Sequence, residues 1–252
     1  MNHISRWLIS AAITAGITLP VTSHATNGMF LIGYGSKSQS MGGTAIANPQ
    51  DSLAGAANPA IISQFNIRAD VSADFFVPIA EACTSVLPGS ANCQDSKANR
   101  FLIPAMGGAY KFNRKLYFGF TAVGAGGGGS RYNKNLFNNG SPDDRTLGVN
   151  LMVMQMNPTI AYRVKKNQFI GVSPIISVQT FRAFGLQDFS VFTGDGLPIT
   201  NQGNDWAYGG GLRVGYLGKF MKKKLLLGAS ASTEVYMTEF DKYDNLIAEE
   251  GQ

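Results

Sequence analysis

Ile67-Arg68-Ala69-Asp70-Val71-Ser72-Ala73-Asp74-Phe75-Phe76-Val77 is the stretch on which the fold turns. Its odd positions are all apolar, while the even positions include Arg68, Asp70, Ser72 and Asp74. Successive side chains of an extended segment point to opposite sides, so this spacing predicts a strand with one oily and one charged face. The run outlasts the ~5–6 residues of an ordinary globular strand. It matches instead the ~9–11 residues that cross a bilayer as a strand.

The same alternation returns downstream. Met152, Met154, Met156, Pro158, Ile160, Tyr162 and Val164 share one face, opposite Gln155, Asn157, Thr159 and Arg163. Ile170 to Val178, Trp206 to Tyr216 and Leu225 to Met237 repeat it, the last with Val235 and Met237 on the apolar side and Glu234 on the polar one. Phe101 to Phe112 and Leu116 to Ala125 show it more faintly, with Leu102, Met106, Tyr110, Phe118 and Phe120 as the outer residues. Seven strands are expected. The connections alternate too: Asn113-Arg114-Lys115, Lys165-Lys166-Asn167 and the stretch from Gly218 to Lys224 are short and basic, whereas Ala80–Asn99, Gly126–Arg145 and Leu186–Asn204 are long and polar. Short turns at one end and long loops at the other are the layout of an antiparallel transmembrane β-barrel, periplasm against exterior. A soluble β-sandwich fits these lengths poorly.

The N-terminus agrees. Residues 1–25 carry Arg6, an apolar run from Trp7 to Leu19, and Ser23-His24-Ala25 at a cleavage point, the parts of a secretory signal peptide. The apolar run is too short for a membrane-crossing helix, which needs ~20 residues. His3 and His24 are the only histidines in the 252 residues, and cleavage would remove both. A mature chain without histidine cannot build a Ser-His-Asp triad, a Cys-His pair or a His-ligated metal site. No enzyme activity, catalytic residue, metal or cofactor is therefore expected. Removing Arg6 with the leader leaves a mild cationic excess of about four, spread along the chain, which gives nucleic-acid binding little support. Cys83 and Cys93 flank a polar loop and are expected to form a disulfide there.

Residues 26–66 differ from the rest. They hold many glycines, the breakers Asn48-Pro49 and Asn58-Pro59, and no sustained alternation. Pro49 to Ala57 is expected to form one or two helical turns starting at Pro49. Ile46, Leu53, Ile61 and Ile62 argue against simple disorder. A compact, non-strand segment ahead of a barrel suggests a plug in its lumen. The strands from 67 to 252 would form the wall. Seven strands leave an open edge, whereas bacterial single-chain barrels have even numbers from ~8 upward, and the polar ending Glu249-Glu250-Gly251-Gln252 looks cut. The chain is expected to be the front half of a barrel.

The run Gly42-Gly43-Thr44-Ala45-Ile46-Ala47, then Asp51-Ser52, then Asn58-Pro59-Ala60, resembles the hatch of the long-chain fatty acid channels of the FadL and TodX type. Asn157-Pro158-Thr159-Ile160-Ala161-Tyr162 before Lys165-Lys166, and Tyr243-Asp244-Asn245-Leu246, resemble later stretches of that family. The resemblance implies a fourteen-stranded outer-membrane barrel, monomeric at full length, plugged by the hatch. It implies passive uptake of fatty acids or aromatic hydrocarbons, with release sideways into the membrane lipid. It makes Asn58, Pro59 and Ala60 the hatch motif and puts the lateral opening at the third strand, which runs into Gly124, Gly126, Gly127, Gly128 and Gly129. Consecutive glycines weaken a strand and leave no side chains to fill a wall, although they suit the start of a flexible loop equally well. The same glycines satisfy G-x-G-x-x-G, but no helix pattern follows, so nucleotide binding is dismissed. Arg68, Asp70, Asp74, Arg213 and Glu234 fall on the inward face and are expected to pair across the lumen with the hatch. No ligand-binding residue can be singled out. An adhesive or structural barrel, or a non-functional remnant, is the alternative; a hydrophilic porin and a membrane lipase fit less well.

Overall fold

A computed structural model of the chain describes residues 29–87, 90–135, 145–192 and 198–247. The expected signal peptide lies outside these residues. Strands β1 (Ile67–Phe76), β2 (Glu81–Leu87), β3 (Ser90–Asp95), β4 (Phe101–Lys111), β5 (Leu116–Tyr132), β6 (Leu147–Lys165), β7 (Gln168–Phe184), β8 (Asp205–Phe220), β9 (Leu225–Ser232) and β10 (Tyr236–Met237) carry the fold. Two short helices, α1 (Ser36–Ser40) and α2 (Asp244–Ile247), and several 3-10 turns accompany them.

The main sheet runs β1-β4-β5-β6-β7-β8, every pair antiparallel, and β9 and β10 both pair with the far edge of β8. Counting β9 and β10 as one broken strand, the wall has the seven strands the alternation predicts. It is a curled half-barrel. In β1 the odd residues are exposed and the even ones half-buried, with Val71 83% exposed. Met106, Ile160, Tyr162, Ile170, Val172, Leu212 and Val214 stand exposed on the same face farther along the wall. An apolar surface of that extent is unsuited to water and suited to hydrocarbon. The other face is lined by small or polar residues such as Thr121, Asn157, Thr159, Ser173 and Ser177, all buried.

Four expectations need correction. The stretch 80–99 is not a plain loop: β2 and β3 form their own hairpin, with Cys83 opposite Cys93 and the two joined as a disulfide. Its turn signal, Pro88-Gly89, lies between two short polar segments that lack an oily face. Second, β5 does not give way to a loop at Gly126 but continues to Tyr132, paired with β6 down to Leu147. Glycines are tolerated there because the ladder to β6 satisfies their backbone groups. Third, the first helical turn starts at Ser52, not Pro49, because the Asp51 carboxylate accepts the Ala54 N–H at 3.2 Å and so caps it.

The fourth concerns the last strand. Ser232 lies opposite Arg213 and Tyr236 opposite Gly210, so four steps on one strand match three on its neighbour. One extra residue makes a β-bulge and reverses which side chains face out. Thr233 fills the break: its N–H donates to the Leu212 carbonyl at 2.9 Å, and its Oγ1 accepts the Leu212 N–H at 3.0 Å. Beyond it Tyr236 is 75% exposed while Val235 and Met237 are half-buried, the opposite of the expected parity.

Candidate functional site

The N-terminal segment folds onto the small-residue face of the sheet through two 3-10 turns, Ser52–Ala56 and Pro59–Gln64. The second begins where sequence chemistry favours it. Asn58 caps it by accepting the Ala60 N–H at 3.0 Å, and Pro59 occupies the first helical position, where its missing N–H costs nothing. Leu53, Ile61 and Ile62 are fully buried between these turns and β4 to β8. Ile61 and Ile62 form one core cluster with Ala109, Tyr117, Ala161 and Leu217 of the wall, and Leu53 a second with Ala105 and Val123.

The wall is hollowed to receive them. On β7 and β8 the inward residues Gly171 and Gly215 are direct partners. A Cβ on Gly171 would collide with the Pro59 carbonyl group and the Ala60 nitrogen, and one on Gly215 with the Asn58 side chain and the Pro59 ring. The Asn58 amide is therefore seated against the wall. Its Nδ2 donates to the Ile46 carbonyl at 2.6 Å and to the Tyr216 carbonyl of β8 at 2.9 Å.

The inward row of β1 holds the segment from the other side. Arg68 and Asp70 form a two-pronged ion pair at 2.7 and 2.9 Å, and Asp70 also accepts the Ser52 N–H at 2.9 Å and the Ser52 hydroxyl at 2.7 Å. Ser72 Oγ accepts the Ser36 N–H, and Asp74 accepts the Gln39 side-chain amide at 3.1 Å. Arg213 of β8 donates to the Ala56 carbonyl. Glu234 is set apart from this group: it is exposed, within the β9–β10 bulge.

The five third-strand glycines lie where the wall divides. The ladder between β4 and β5 ends at Ala105–Val123. Beyond that point Phe101 to Pro104 stay with β1, and Gly124 onward stays with β6. Pro104, which has no N–H to give, stands at the fork. The β5–β6 register slips between Gly124 and Gly126. Into the split comes the start of the described chain: Leu31 N–H donates to the Ala125 carbonyl at 3.1 Å and Gly127 N–H to the Met29 carbonyl at 2.7 Å, with Phe30 bridged to Gly126. A Cβ on Gly126 would strike the Met29 carbonyl, so this approach requires glycine. Farther along the same edge, Lys97 N–H donates to the Arg131 carbonyl at 2.7 Å, Arg131 N–H to Ser96 Oγ at 3.1 Å, and Gln94 of β3 brackets the Lys134 backbone. The disulfide hairpin thus borders the split.

Met29–Leu31, Gly171 and Gly215 had no signal of their own in the sequence. A glycine inside an otherwise regular strand, as at 171 and 215, was the only available hint of close backbone approach.

The wall is thus an antiparallel, curled half-barrel, apolar outside and small and polar inside, with a compact segment packed on its inner face. In fold, the chain is similar to a solved structure, that of a Pseudomonas aeruginosa FadL homologue, with a TM-score of 0.52 at 12% sequence identity. The match covers 86% of this chain and 56% of that one, so the chain spans little more than half the length of the structure it matches. No family model and no curated protein matches the sequence.

Proposed function

We propose that the chain is the front half of an outer-membrane channel that admits hydrophobic compounds, long-chain fatty acids or aromatic hydrocarbons, without chemistry or an energy source. In this reading residues 26–66 are the plug, Asn58-Pro59-Ala60 anchors it, and the gap beside Gly124 to Gly129 is the lateral exit into the bilayer. The observation that carries it is the fork between β4 and β5. An unpaired strand edge inside hydrocarbon is costly, and here it is covered by Met29 to Leu31, a piece of the plug rather than a neighbouring strand. Two hydrogen bonds of backbone type are a seal that can be broken and remade, unlike a full ladder. The apolar exterior and the likeness in fold to a FadL homologue support the membrane setting.

The test is uptake. The gene, with whatever coding sequence follows Gln252, is expressed in a Gram-negative host lacking its own fatty acid channel, and entry of labelled oleate and labelled toluene is measured. Uptake above a vector control is the expected result. A folded, heat-modifiable barrel in the outer membrane that passes neither compound would sink the proposal and favour an adhesive or structural role.

A further inference from the structure

The short-turn end of the wall carries a charge pattern that uptake does not use. Three turns meet there and present Arg114 and Lys115, then Lys165 and Lys166, then Lys222, Lys223 and Lys224, all exposed. No Asp or Glu occurs in 111–118, 163–170 or 217–227. The ion pair Arg68–Asp70, the one found among the described residues, lies on the inner face and takes up none of these cations. The long-loop end mixes signs, carrying Glu81, Asp95 and Glu239 as well as Lys97, Arg131 and Lys134. The short-turn end is therefore uniformly cationic, whereas the long-loop end carries both signs.

Just inside this cationic rim the outward face is hollowed. Tyr162 of β6, Ile170 and Val172 of β7 and Tyr216 of β8 stand beside Ala229 and Ala231 of β9, leaving an apolar groove of ≈560 Å³. That size falls within the roughly 300–1,000 Å³ of small-molecule sites. Lys165 lies three positions beyond Tyr162 on the same strand, about 10 Å at a strand's rise of ~3.3 Å per residue. An apolar groove ending at a cluster of unpaired ammonium groups has the two halves of a lipid site: a channel for a chain and a cradle for a phosphate.

We propose that this corner of the wall binds an anionic glycerophospholipid of the periplasmic leaflet. Its phosphate sits among the lysines of the 165–166 and 222–224 turns, and one acyl chain lies along the groove over Ala229 and Ala231. The proposal rests on the membrane-barrel reading above, which puts short turns on the periplasmic side. A zwitterionic lipid fills the groove equally well but gains little from the cations, so headgroup charge is what the site selects.

Native mass spectrometry of the full chain in detergent, with added phosphatidylglycerol or phosphatidylcholine, tests this directly. Phosphatidylglycerol adducts are expected to be retained several-fold more than phosphatidylcholine, and the preference is expected to shrink as salt is raised. The combined change K165Q/K166Q/K222Q/K223Q/K224Q, confined to exposed turns, is expected to abolish the preference. Ala231→Trp, which fills the groove and leaves the charges, is expected to reduce adducts of both lipids. Equal retention of the two lipids by the unaltered chain, or a preference that survives the five-lysine change, overturns the site. Heat-modifiable mobility and oleate uptake, followed in the same preparations, separate the two readings. A chain that takes up oleate but shows no phosphatidylglycerol preference loses only the lipid site. One that never becomes heat-modifiable loses both.

Discussion

Gly171 and Gly215 face each other across β7 and β8, and the Asn58–Pro59 corner occupies the hollow that their missing side chains leave. Replacing either with alanine puts a methyl group into backbone or ring atoms that cannot give way. Overpacking of this kind costs about 1–3 kcal/mol. Gly171→Ala and Gly215→Ala are each expected to lower the urea midpoint of the folded barrel and to expose residues 45–65 to protease. Gly203, with open space where a Cβ would go but a left-handed φ of 78°, is a poor control; Gly128, with nothing near it and an extended backbone, is the better one.

Asn58 donates to two carbonyls and accepts one N–H, so its amide cannot be imitated by a carboxylate. Asn58→Asp keeps the cap but replaces the donor with an acceptor facing the Ile46 and Tyr216 carbonyls. Leaving such buried groups unsatisfied costs about 1–3 kcal/mol. Asn58→Asp is expected to be at least as damaging as Asn58→Ala, the reverse of the order at an exposed helix cap. Equilibrium unfolding of the three proteins side by side decides it.

Asp70 joins β1 to the first 3-10 turn by accepting from Ser52, and is itself held by Arg68 of the same strand. Hydrogen bonds to charged groups contribute about 1.5–3 kcal/mol. Asp70→Asn is expected to destabilise by a value in that range, and Arg68→Met by less. The double variant is expected to be more stable than the sum of the two predicts, because the single Asp70 change strands the Arg68 cation. Additive losses would show that the pair does not act as a unit.

The fork at β4 and β5 can be stitched. A Cβ placed on Gly124 would stand 2.8 Å from an Ile103 methyl, so Ile103→Cys with Gly124→Cys brings two thiols within bonding range across the split. In a background with Cys83 and Cys93 changed to serine, oxidation is expected to suppress uptake, and reductant to restore it. Uptake unaffected by a quantitative cross-link would move the exit elsewhere.

Much of the wall was legible because its rule is local. A residue in β1, β6 or β7 faces outward or inward by its parity, and Val71, Ile160 and Ile170 announce this from their immediate neighbours. The break at Thr233 was not legible, since Leu225 to Ala231 and Val235 to Met237 each alternate well, and only pairing with Leu212 and Gly210 reveals the extra residue. The seat of the Asn58 motif was hidden for a different reason. Its partner Tyr216 lies 158 positions away, and the glycines that admit it advertise nothing but the absence of a side chain. Asp70 and Asp74 could be placed on the inner face from sequence, but not matched to Ser52 and Gln39, because the path of the N-terminal segment follows no period.

The bulge makes the last strand behave like a message with one extra letter. Upstream of Thr233 the odd residues point outward, and downstream the even ones do, so a substitution at Glu234 changes a word while a deletion there removes the extra letter and restores a single reading. Removing one residue between 233 and 235 would close the bulge, let Leu225 to Met237 pair as one regular strand, and leave Tyr236 outside, opposite Gly210. Any design or homologue alignment that treats Leu225 to Met237 as a single uninterrupted strand will misread every position after the break, however well the hydrophobic pattern agrees.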